Sequence, residues 1–334
     1  MKKFINTAER AAQDSLAGFA MAHPHQVTVH NLTEGPTFIT RNDVPVAGKV
    51  AVVSGGGTGH DPLHNGFVGP GMLDAAVPGP TFTSPTPDQI FEAIRAVDSG
   101  CGVLLIVKNY TGDVLNFEVA AELAEMEGIT TSTVLVADDV AVENSTHTVG
   151  RRGVAGTLLV EKIAGAAAER GDDLAAVTAI AQRVSDNIRS MGVALEGSIV
   201  AAIGKPGIEL DHDEAEIGIG IHGEPGRRRV PMTTAAEITA MLVEPVLEDM
   251  PLSSDDDVFL LVNGMGATPL GELYIVFGEA KPLIEATGAT VKRSLVGSYV
   301  TSLNMQGVSV TTLKLDNEMI NLWDAPVHTP ALTW

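Results

Sequence analysis

The stretch Val50-Ala-Val-Val-Ser-Gly-Gly-Gly-Thr-Gly-His60 runs from continuous apolar residues directly into a glycine-rich loop. A short apolar run with β-branched residues is typical of a strand that is buried on both faces, as in a parallel sheet. Glycines after such a strand let backbone N–H groups approach an oxygen-rich ligand. The stretch therefore predicts a strand whose end, at His60, opens a functional loop at the carboxyl edge of a sheet.

Two similar apolar runs follow at residues 103–107 and 133–136, and helical patterns lie between the strands. Residues 87–98 follow Thr86, a residue type that caps helices, and residues 115–127 carry apolar side chains at helical spacing. Strands that alternate with helices are typical of an α/β fold. The first part of the chain is therefore predicted to form a mostly parallel sheet flanked by helices.

The rest of the chain also mixes strand and helix patterns. Helices are predicted over residues 156–170 and from 172 to 189, and they complete a first domain of residues 1–190. Residues 191–334 are expected to form a second, smaller α/β or α+β domain, whose C-terminal tail, residues 323–334, packs back on the first. Its predicted strands are residues 192–203, 217–221, 258–262, 293–300 and 307–315, and its predicted helices are residues 235–247 and 270–286.

Composition limits the possible partners. The 334 residues carry a formal net charge of −21 at pH 7 and a pI near 4.7, which argues against nucleic acid and anionic membranes as partners. The single cysteine, Cys101, excludes an internal disulfide, and its position before an apolar run predicts a packing role. No signal peptide, membrane span or metal site is expected, so the protein is predicted to be soluble and cytoplasmic.

The glycine-rich loop before His60 is not a nucleotide-binding motif. Pro62 follows too soon for the helix of a dinucleotide fingerprint, and the lysine of a phosphate-binding P-loop is missing. The loop is instead predicted to expose His60 in an active site.

Lys108 and Asp113 also follow a strand, in the segment Val107-Lys-Asn-Tyr-Thr-Gly-Asp113. Taken alone, they are explained by a local salt bridge and an aspartate helix cap. Their coincidence with other reactive groups at strand ends favours a shared site.

His222 is the third such group, in Ile217-Gly-Ile-Gly-Ile-His-Gly-Glu-Pro-Gly226. The alternation of isoleucine and glycine predicts a strand with one bare face, and the Gly223, Pro225 and Gly226 turn places His222 at its end. The alternative is a loop histidine that is hydrogen-bonded to backbone.

These motifs occur in one order, and the combination is more specific than any single motif. The chain resembles the substrate-binding subunit of dihydroxyacetone kinases over essentially its full length. The segments that carry the resemblance are Gly55-Gly-Gly-Thr-Gly-His60, Lys108-Asn-Tyr-Thr-Gly-Asp113, Gly150-Arg-Arg-Gly153, Gly220-Ile-His-Gly-Glu-Pro-Gly226 and Trp323-Asp-Ala-Pro-Val-His-Thr-Pro330.

The resemblance implies specific roles. In the family, the histidine that matches His222 attacks the ketone carbon and holds the substrate as a covalent hemiaminal, which selects ketones over polyols such as glycerol. His60 and Asp113 are implied as acid and base, with the base left open between them. Substrate binding is implied for Gly57, Thr58, Gly59, His60, Lys108, Asp113 and His222.

The resemblance also implies that this chain is the acceptor half of a two-subunit kinase and likewise forms a homodimer. No cofactor is expected in this chain. Mg-ADP or ATP is expected on a separate nucleotide-binding subunit, which a phosphohistidine protein of the sugar phosphotransferase system rephosphorylates in the bacterial branch. A separate-subunit arrangement that uses ATP directly stays open.

Asp61, where the family often has glutamate, and Asn65 depart from the commonest pattern, so a longer ketose such as erythrulose stays open beside dihydroxyacetone. A ketone-sensing co-activator of transcription without kinase activity is the competing class. A nucleotide-dependent oxidoreductase is a weaker alternative, because no ribose-binding carboxylate occurs at the expected spacing.

Overall fold

The computed structural model of the protein describes residues 2–31, 37–142 and 149–334. They form a mixed α/β fold with two six-stranded sheets. The described helices are α1 (Ala11–Ala22), α2 (Pro87–Val97), α3 (Thr111–Met126), α4 (Thr157–Arg170), α5 (Leu174–Asp186), α6 (Ala235–Asp249), α7 (Leu270–Glu285) and α8 (Asn317–Asp324). The described strands are β1 (Val27–Asn31), β2 (Thr37–Arg41), β3 (Ala51–Thr58), β4 (Ala75–Thr81), β5 (Val103–Lys108), β6 (Thr131–Val136), β7 (Ile188–Glu196), β8 (Glu214–Ile217), β9 (Arg228–Pro231), β10 (Asp257–Gly264), β11 (Thr290–Gly297) and β12 (Gln306–Leu315).

The first sheet has the strand order β1-β2-β4-β3-β5-β6, in which β4, β3, β5 and β6 run parallel. β3 is buried on both faces. Val52 packs in one apolar cluster with Leu158 of α4 and Ile180 of α5, whereas Val53 packs in another with Ile94 of α2. The predicted parallel sheet, with helices on both faces, is confirmed.

Local signals set the ends of the flanking helices. The Thr86 side chain accepts a hydrogen bond from the Gln89 backbone N–H (3.4 Å), and Pro87 follows as the first helical residue of α2. α4 ends at Gly171, which adopts a φ of 95°, in the left-handed region that favours glycine. These ends lie where the sequence predicts them.

The second sheet has the order β11-β10-β12-β7-β8-β9, and its pairs are antiparallel except for β10 and β11. Val258 and Leu260 of β10 pack under α6 and α7, in a cluster with Leu242 and Leu273. The alternate residue Phe259 faces the other way and joins the cluster that holds Val52 of β3. One apolar core is therefore shared by the two sheets.

Several predicted elements have the wrong bounds. The strand predicted over residues 192–203 is β7, which begins at Ile188 and ends at Glu196, and the strand predicted over residues 293–300 is β11, which begins at Thr290 and ends at Gly297. The helix predicted to reach residue 189 ends at Asp186, because Asn187 folds its side chain onto the Arg183 carbonyl (2.8 Å) and β7 begins at Ile188. β8 ends at Ile217 and does not continue to residue 221, because Gly218 adopts a φ of 86° that leaves the strand.

The packing role predicted for Cys101 is also wrong. Gly100 and Gly102 have φ angles of 85° and 89°, and the tight bend leaves the Cys101 side chain exposed.

The C-terminal tail contacts the first half of the chain. The His328 N–H donates to the Pro70 carbonyl (2.9 Å), and the Ala331 N–H donates to the Gly66 carbonyl (2.9 Å). The division of the chain into domains at residue 190 stays a prediction, and that position lies inside β7. Within the described ranges, no helix is long and apolar enough to cross a membrane.

We predict that Gly165→Ala destabilises the fold by about 1–3 kcal/mol, the usual cost of overpacking. A Cβ at Gly165 of α4 would lie 2.7 Å from the backbone carbonyl carbon of Met72. The measurement is chemical denaturation of the variant and the parent protein.

The matched control is Gly278→Ala, in the interior of α7, where a Cβ meets no atom within 4 Å. This change should be neutral or stabilising by up to about 1 kcal/mol, because alanine favours helix more than glycine does. Equal effects of the two changes would contradict the close packing of α4.

Candidate active site

A cleft of about 850 Å³ opens where the carboxyl ends of β3 and β5 meet the loop that follows β8. Parallel strands end at the same edge of a sheet, which is where α/β folds bind ligands. The cleft is lined by residues from both halves of the chain, among them Gly57, Phe82, Tyr110, Asp113, His222 and Glu224.

His222 lies in the loop between β8 and β9, after the strand has ended. Its backbone N–H and its ring Nδ1 are each 2.9 Å from the Glu224 carboxylate. Burial alone would raise the pKa of Glu224, but the hydrogen bond and the charge of His222, followed by the charge of Arg152, outweigh burial and hold this pKa at about 2. An ionised carboxylate only accepts hydrogen bonds, so Nδ1 carries the proton and Nε2 of the neutral ring keeps its lone pair.

Arg152 is a buried charge next to the His222–Glu224 pair. Its side chain is fully buried, its Nε donates to Asp139 (2.7 Å), and its Nη2 donates to the Gly218 carbonyl (2.8 Å). A Cβ at Gly220 would collide with the Glu224 carboxylate and lie 2.7 Å from Arg152 Nη1. The bare face predicted for this segment therefore accommodates Glu224 and Arg152 themselves.

His60 is fully buried at the end of the glycine-rich loop, so the prediction that the loop exposes it is wrong, because its ring packs against Phe82 and His222. Its Nδ1 is 2.8 Å from the Thr301 carbonyl oxygen, which fixes Nδ1 as a donor. Burial, reinforced by His222 and Lys108, lowers the pKa of His60 well below its ordinary value of 6.5. The ring is therefore neutral, and its Nε2 is a lone pair without a hydrogen-bond partner among the described residues.

Two aromatic rings pack against the histidines, which lie close to each other. The centroids of the His60 and His222 rings are 4.8 Å apart, and Phe82 lies 5.1 Å and 5.2 Å from them. Tyr110 stands edge-on to His222 at 4.6 Å. The cleft at this sheet edge, with two imidazoles close together, can hold a small polar ligand with a reactive carbon.

Lys108 and Asp113 lie on the β5 side of the site. Lys108 is fully buried, and its Nζ would lie 2.6 Å from a Cβ at Gly56, while Asp113 Oδ2 would lie 3.4 Å from the same point. Tyr110 is the N-cap of α3, and Asp113 lies within its first turn. Asp113 is therefore not the helix cap.

The other predicted site residues lie apart from the cleft. Thr58 and Gly59 line a second cavity of about 650 Å³, together with Lys3 and Asp61. In the part of the chain that is described, no group of three or more His, Cys, Asp or Glu side chains could hold a metal ion.

Comparisons with known proteins agree with this geometry. Residues 17–331 match the Dak1 domain. The chain belongs to the Dak1 domain family. The "PEP-dependent dihydroxyacetone kinase, dihydroxyacetone-binding subunit DhaK" of Escherichia coli (strain K12) is 48% identical over 358 residues, which cover 100% of this chain and 99% of that protein.

Solved Dak1-like structures have the same fold. The native dihydroxyacetone kinase of C. freundii superimposes with a TM-score of 0.88 and 35% identity, over 98% of this chain, which spans only 60% of that kinase chain. The "dihydroxyacetone kinase operon co-activator Dha-DhaQ" superimposes with a TM-score of 0.88 and 35% identity, over 95% of this chain and 97% of its own. The resemblance to dihydroxyacetone kinase subunits is thereby confirmed.

Several residues of the candidate site were not predicted from the sequence. Motifs that carry the family resemblance contain Tyr110, Arg152 and Glu224. The sequence therefore indicated their positions but not their roles. Phe82 follows β4, whose two prolines interrupt the apolar pattern that would identify a strand in the sequence.

We predict that replacing His60 changes how stability depends on pH. The pKa of His60 is lower in the folded than in the unfolded protein, so protons favour the unfolded chain below the unfolded pKa. The penalty is absent above about pH 6.5 and grows by about 1.4 kcal/mol per pH unit below it. His60→Asn, which can keep an N–H near Thr301, should therefore gain stability relative to the parent between pH 6.5 and 5.5, as measured by denaturation.

The control is His212→Asn, at an exposed position, for which the difference from the parent should stay constant across the same range. A constant difference for His60→Asn would show that His60 is not held neutral by the fold.

Proposed function

We propose that this chain is the dihydroxyacetone-binding subunit of a dihydroxyacetone kinase. It holds the ketose as a hemiaminal on His222 and presents a hydroxyl for phosphoryl transfer from a separate nucleotide-bearing subunit. The observation that carries the proposal is the His222–Glu224 hydrogen bond of 2.9 Å, since it places the proton of the neutral ring on Nδ1 and the lone pair on Nε2.

The bond-forming step needs a neutral imidazole. The Nε2 lone pair adds to the carbonyl carbon, the C–N bond forms, and the carbonyl π electrons move to oxygen, which takes a proton from solvent in the open cleft and becomes a hydroxyl. The ring gains positive charge as it attacks, and the ionised Glu224 beside Nδ1 stabilises that charge or accepts the Nδ1 proton. A polyol has no electrophilic carbon and forms no such bond, so capture selects ketoses.

Phosphoryl transfer to the bound ketose requires a proton acceptor for the attacking hydroxyl. His60 supplies an unpartnered Nε2, and Asp113 supplies an unpartnered Oδ1, among the described residues. The neutral His60 ring, close to His222, supports it as the base. Asp113 and Lys108 then bind the remaining hydroxyls, and Gly57 gives backbone access to the cleft.

The phosphoryl donor lies outside this chain in our proposal. The E. coli relative is named as one subunit of a PEP-dependent kinase, and the longer C. freundii chain has been crystallised with AMP-PNP and Mg²⁺. We infer a partner subunit that carries Mg-ADP and receives phosphate from a phosphohistidine phosphotransferase protein. Homodimerisation and the cytoplasmic location remain predictions.

Two alternatives compete with the proposal. A longer ketose such as erythrulose is the second candidate, since a Mycolicibacterium smegmatis relative that is 40% identical over 99% of this chain is named D-erythrulose kinase. The co-activator relative makes a ketone sensor the third. A sensor needs capture alone, whereas Lys108, Asp113 and His60 beside His222 provide for proton transfer as well, which favours the kinase.

We predict that His222→Ala abolishes covalent capture, because His222 has the proposed attacking nitrogen. The measurement is carbon NMR of carbonyl-labelled dihydroxyacetone, whose ketone carbon should become tetrahedral with the parent chain alone. Tyr110→Phe is the matched control in the same wall of the cleft and should keep the adduct. An adduct on His222→Ala would reject the assignment.

We predict that His60→Asn and Asp113→Asn retain the adduct yet slow phosphorylation by about 10² or more, the usual scale for a lost acid or base. The assay is formation of dihydroxyacetone phosphate with the nucleotide-bearing subunit present. Without that subunit, Mg-ATP should give no product. Parent-like rates for both variants would remove these residues from the mechanism. Capture without any phosphorylated product in the parent protein would favour the sensor.

A further inference from the structure

Three buried titratable side chains form a hydrogen-bonded chain behind the glycine-rich loop. Lys108 Nζ is 2.7 Å from His64 Nε2, and His64 Nδ1 is 2.6 Å from Glu161 Oε1. Lys108 and Glu161 have no exposed surface, and His64 is nearly as buried. Only Lys108 has a role in the proposed reaction, so His64 and Glu161 need a separate explanation.

The direction of both hydrogen bonds follows from their donors. A lysine ammonium has only donors, so His64 Nε2 accepts from Lys108 and the ring proton lies on Nδ1. That proton is donated to the Glu161 carboxylate. When Lys108 and Glu161 are both ionised, the chain joins a buried cation to a buried anion through one tautomer of His64.

Burial and charge act against each other on Lys108. Burial lowers the pKa of Lys108, while the charges of Asp113 and Glu161 raise it. His60 and His64 also face the ammonium, and burial keeps the pKa of each imidazole well below its ordinary value, so neither adds positive charge. The Gly55 carbonyl is a further acceptor at 3.3 Å. Burial also raises the pKa of Glu161 to about 8, although the charge of Lys108 opposes this rise. Asp113 and, above about pH 8, the ionised Glu161 are therefore the counter-charges of Lys108 in the range where an ordinary lysine begins to lose its proton.

The fold holds Glu161 in place from the opposite side. Glu161 belongs to α4, and one turn later Gly165 packs directly on the Met72 backbone. This close contact fixes α4 against the first sheet, so the carboxylate has one position relative to Lys108 on β5.

We propose that His64 and Glu161 are positioning residues that keep Lys108 protonated and aimed at the ketose. The inference rests on the proposed function, in which Lys108 binds a substrate hydroxyl. An ammonium beside the hydroxyl stabilises the negative charge that develops when this hydroxyl loses its proton, whereas a neutral amine does so far less.

The direct test follows the Lys108 side chain by NMR of protein labelled at lysine Cε, without ligand, across pH 6.5–10. Lys108→Met identifies the signal. Glu161→Gln keeps an oxygen that can accept from His64 but removes the charge, so Lys108 should lose its proton at a pH at least one unit lower than in the parent. An unchanged titration would overturn the proposal.

The functional test measures the dissociation constant for dihydroxyacetone by calorimetry at pH 7 and pH 9. The ratio of Glu161→Gln to parent constants should be at least about tenfold larger at pH 9, since losing one proton costs about tenfold in affinity per pH unit. A ratio that is raised equally at both pH values would show a merely structural role and overturn the proposal. Absence of binding by the parent at every pH would instead reject the proposed function, whatever the NMR titration shows.

Two further variants complete the design. Glu169→Gln removes another carboxylate of α4, which pairs with Arg41 away from the site, and should leave the Lys108 titration unchanged. His64→Leu removes the acceptor of Lys108 and should shift the titration in the same direction as Glu161→Gln. His64→Leu decides the outcome if Glu161→Gln does not fold, and a parent-like titration in it would overturn the proposal.

Discussion

The site depends on the lack of side chains at Gly55, Gly56 and Gly57. A Cβ at Gly55 would lie 2.5 Å from the Val77 carbonyl oxygen, and one at Gly56 would lie 2.6 Å from Lys108 Nζ. A Cβ at Gly57 would lie 2.7 Å from backbone atoms of Phe82. The neighbouring strand, the buried lysine and the aromatic wall can therefore reach the end of β3 only because these positions are bare. A strand end with alanine at any of these three positions cannot pack in the same way.

Near that strand end, two histidines are held by the same kind of hydrogen bond. Each imidazole donates through Nδ1 to a fixed oxygen, Thr301 for His60 and Glu224 for His222. In each ring, no described residue donates a hydrogen bond to Nε2. The difference lies in the oxygen: a neutral carbonyl suits a proton acceptor, while the ionised Glu224 suits a ring that gains positive charge on attack.

Sequence patterns with a local cause were predictable. The buried runs of β3 and β5, the Thr86 cap and the left-handed Gly171 depend on neighbours within a few positions, and the structure has them where expected. His222 was placed at a strand end, but β8 stops at Ile217, since the φ of Gly218 depends on the close packing of Ala141 and Arg227. Alternation of isoleucine and glycine could not reveal that tertiary contact.

The partners of the reactive groups were hidden for the same reason. His60 and Thr301 are separated by 241 positions, and His64 and Glu161 by 97, so no spacing rule links them. The family resemblance identified which segments matter. It could not show that Glu224, two residues from His222, fixes the tautomer of the ring, because that depends on how sharply the loop turns.

The junction between the two halves also sets the distance between the histidines. The Thr301 N–H donates to the His60 carbonyl (3.2 Å), and the Leu303 N–H donates to the Gly59 carbonyl (2.8 Å), so the glycine-rich loop is hydrogen-bonded to the segment between β11 and β12. His222 comes from the same second half, and the apolar cluster with Val52 and Phe259 continues beneath both sheets. A hinge motion at this junction would break these bonds and open the shared core. The 4.8 Å approach of the two rings is therefore a consequence of rigid packing, and the chemistry we propose for capture and proton transfer needs no rearrangement of the two histidines.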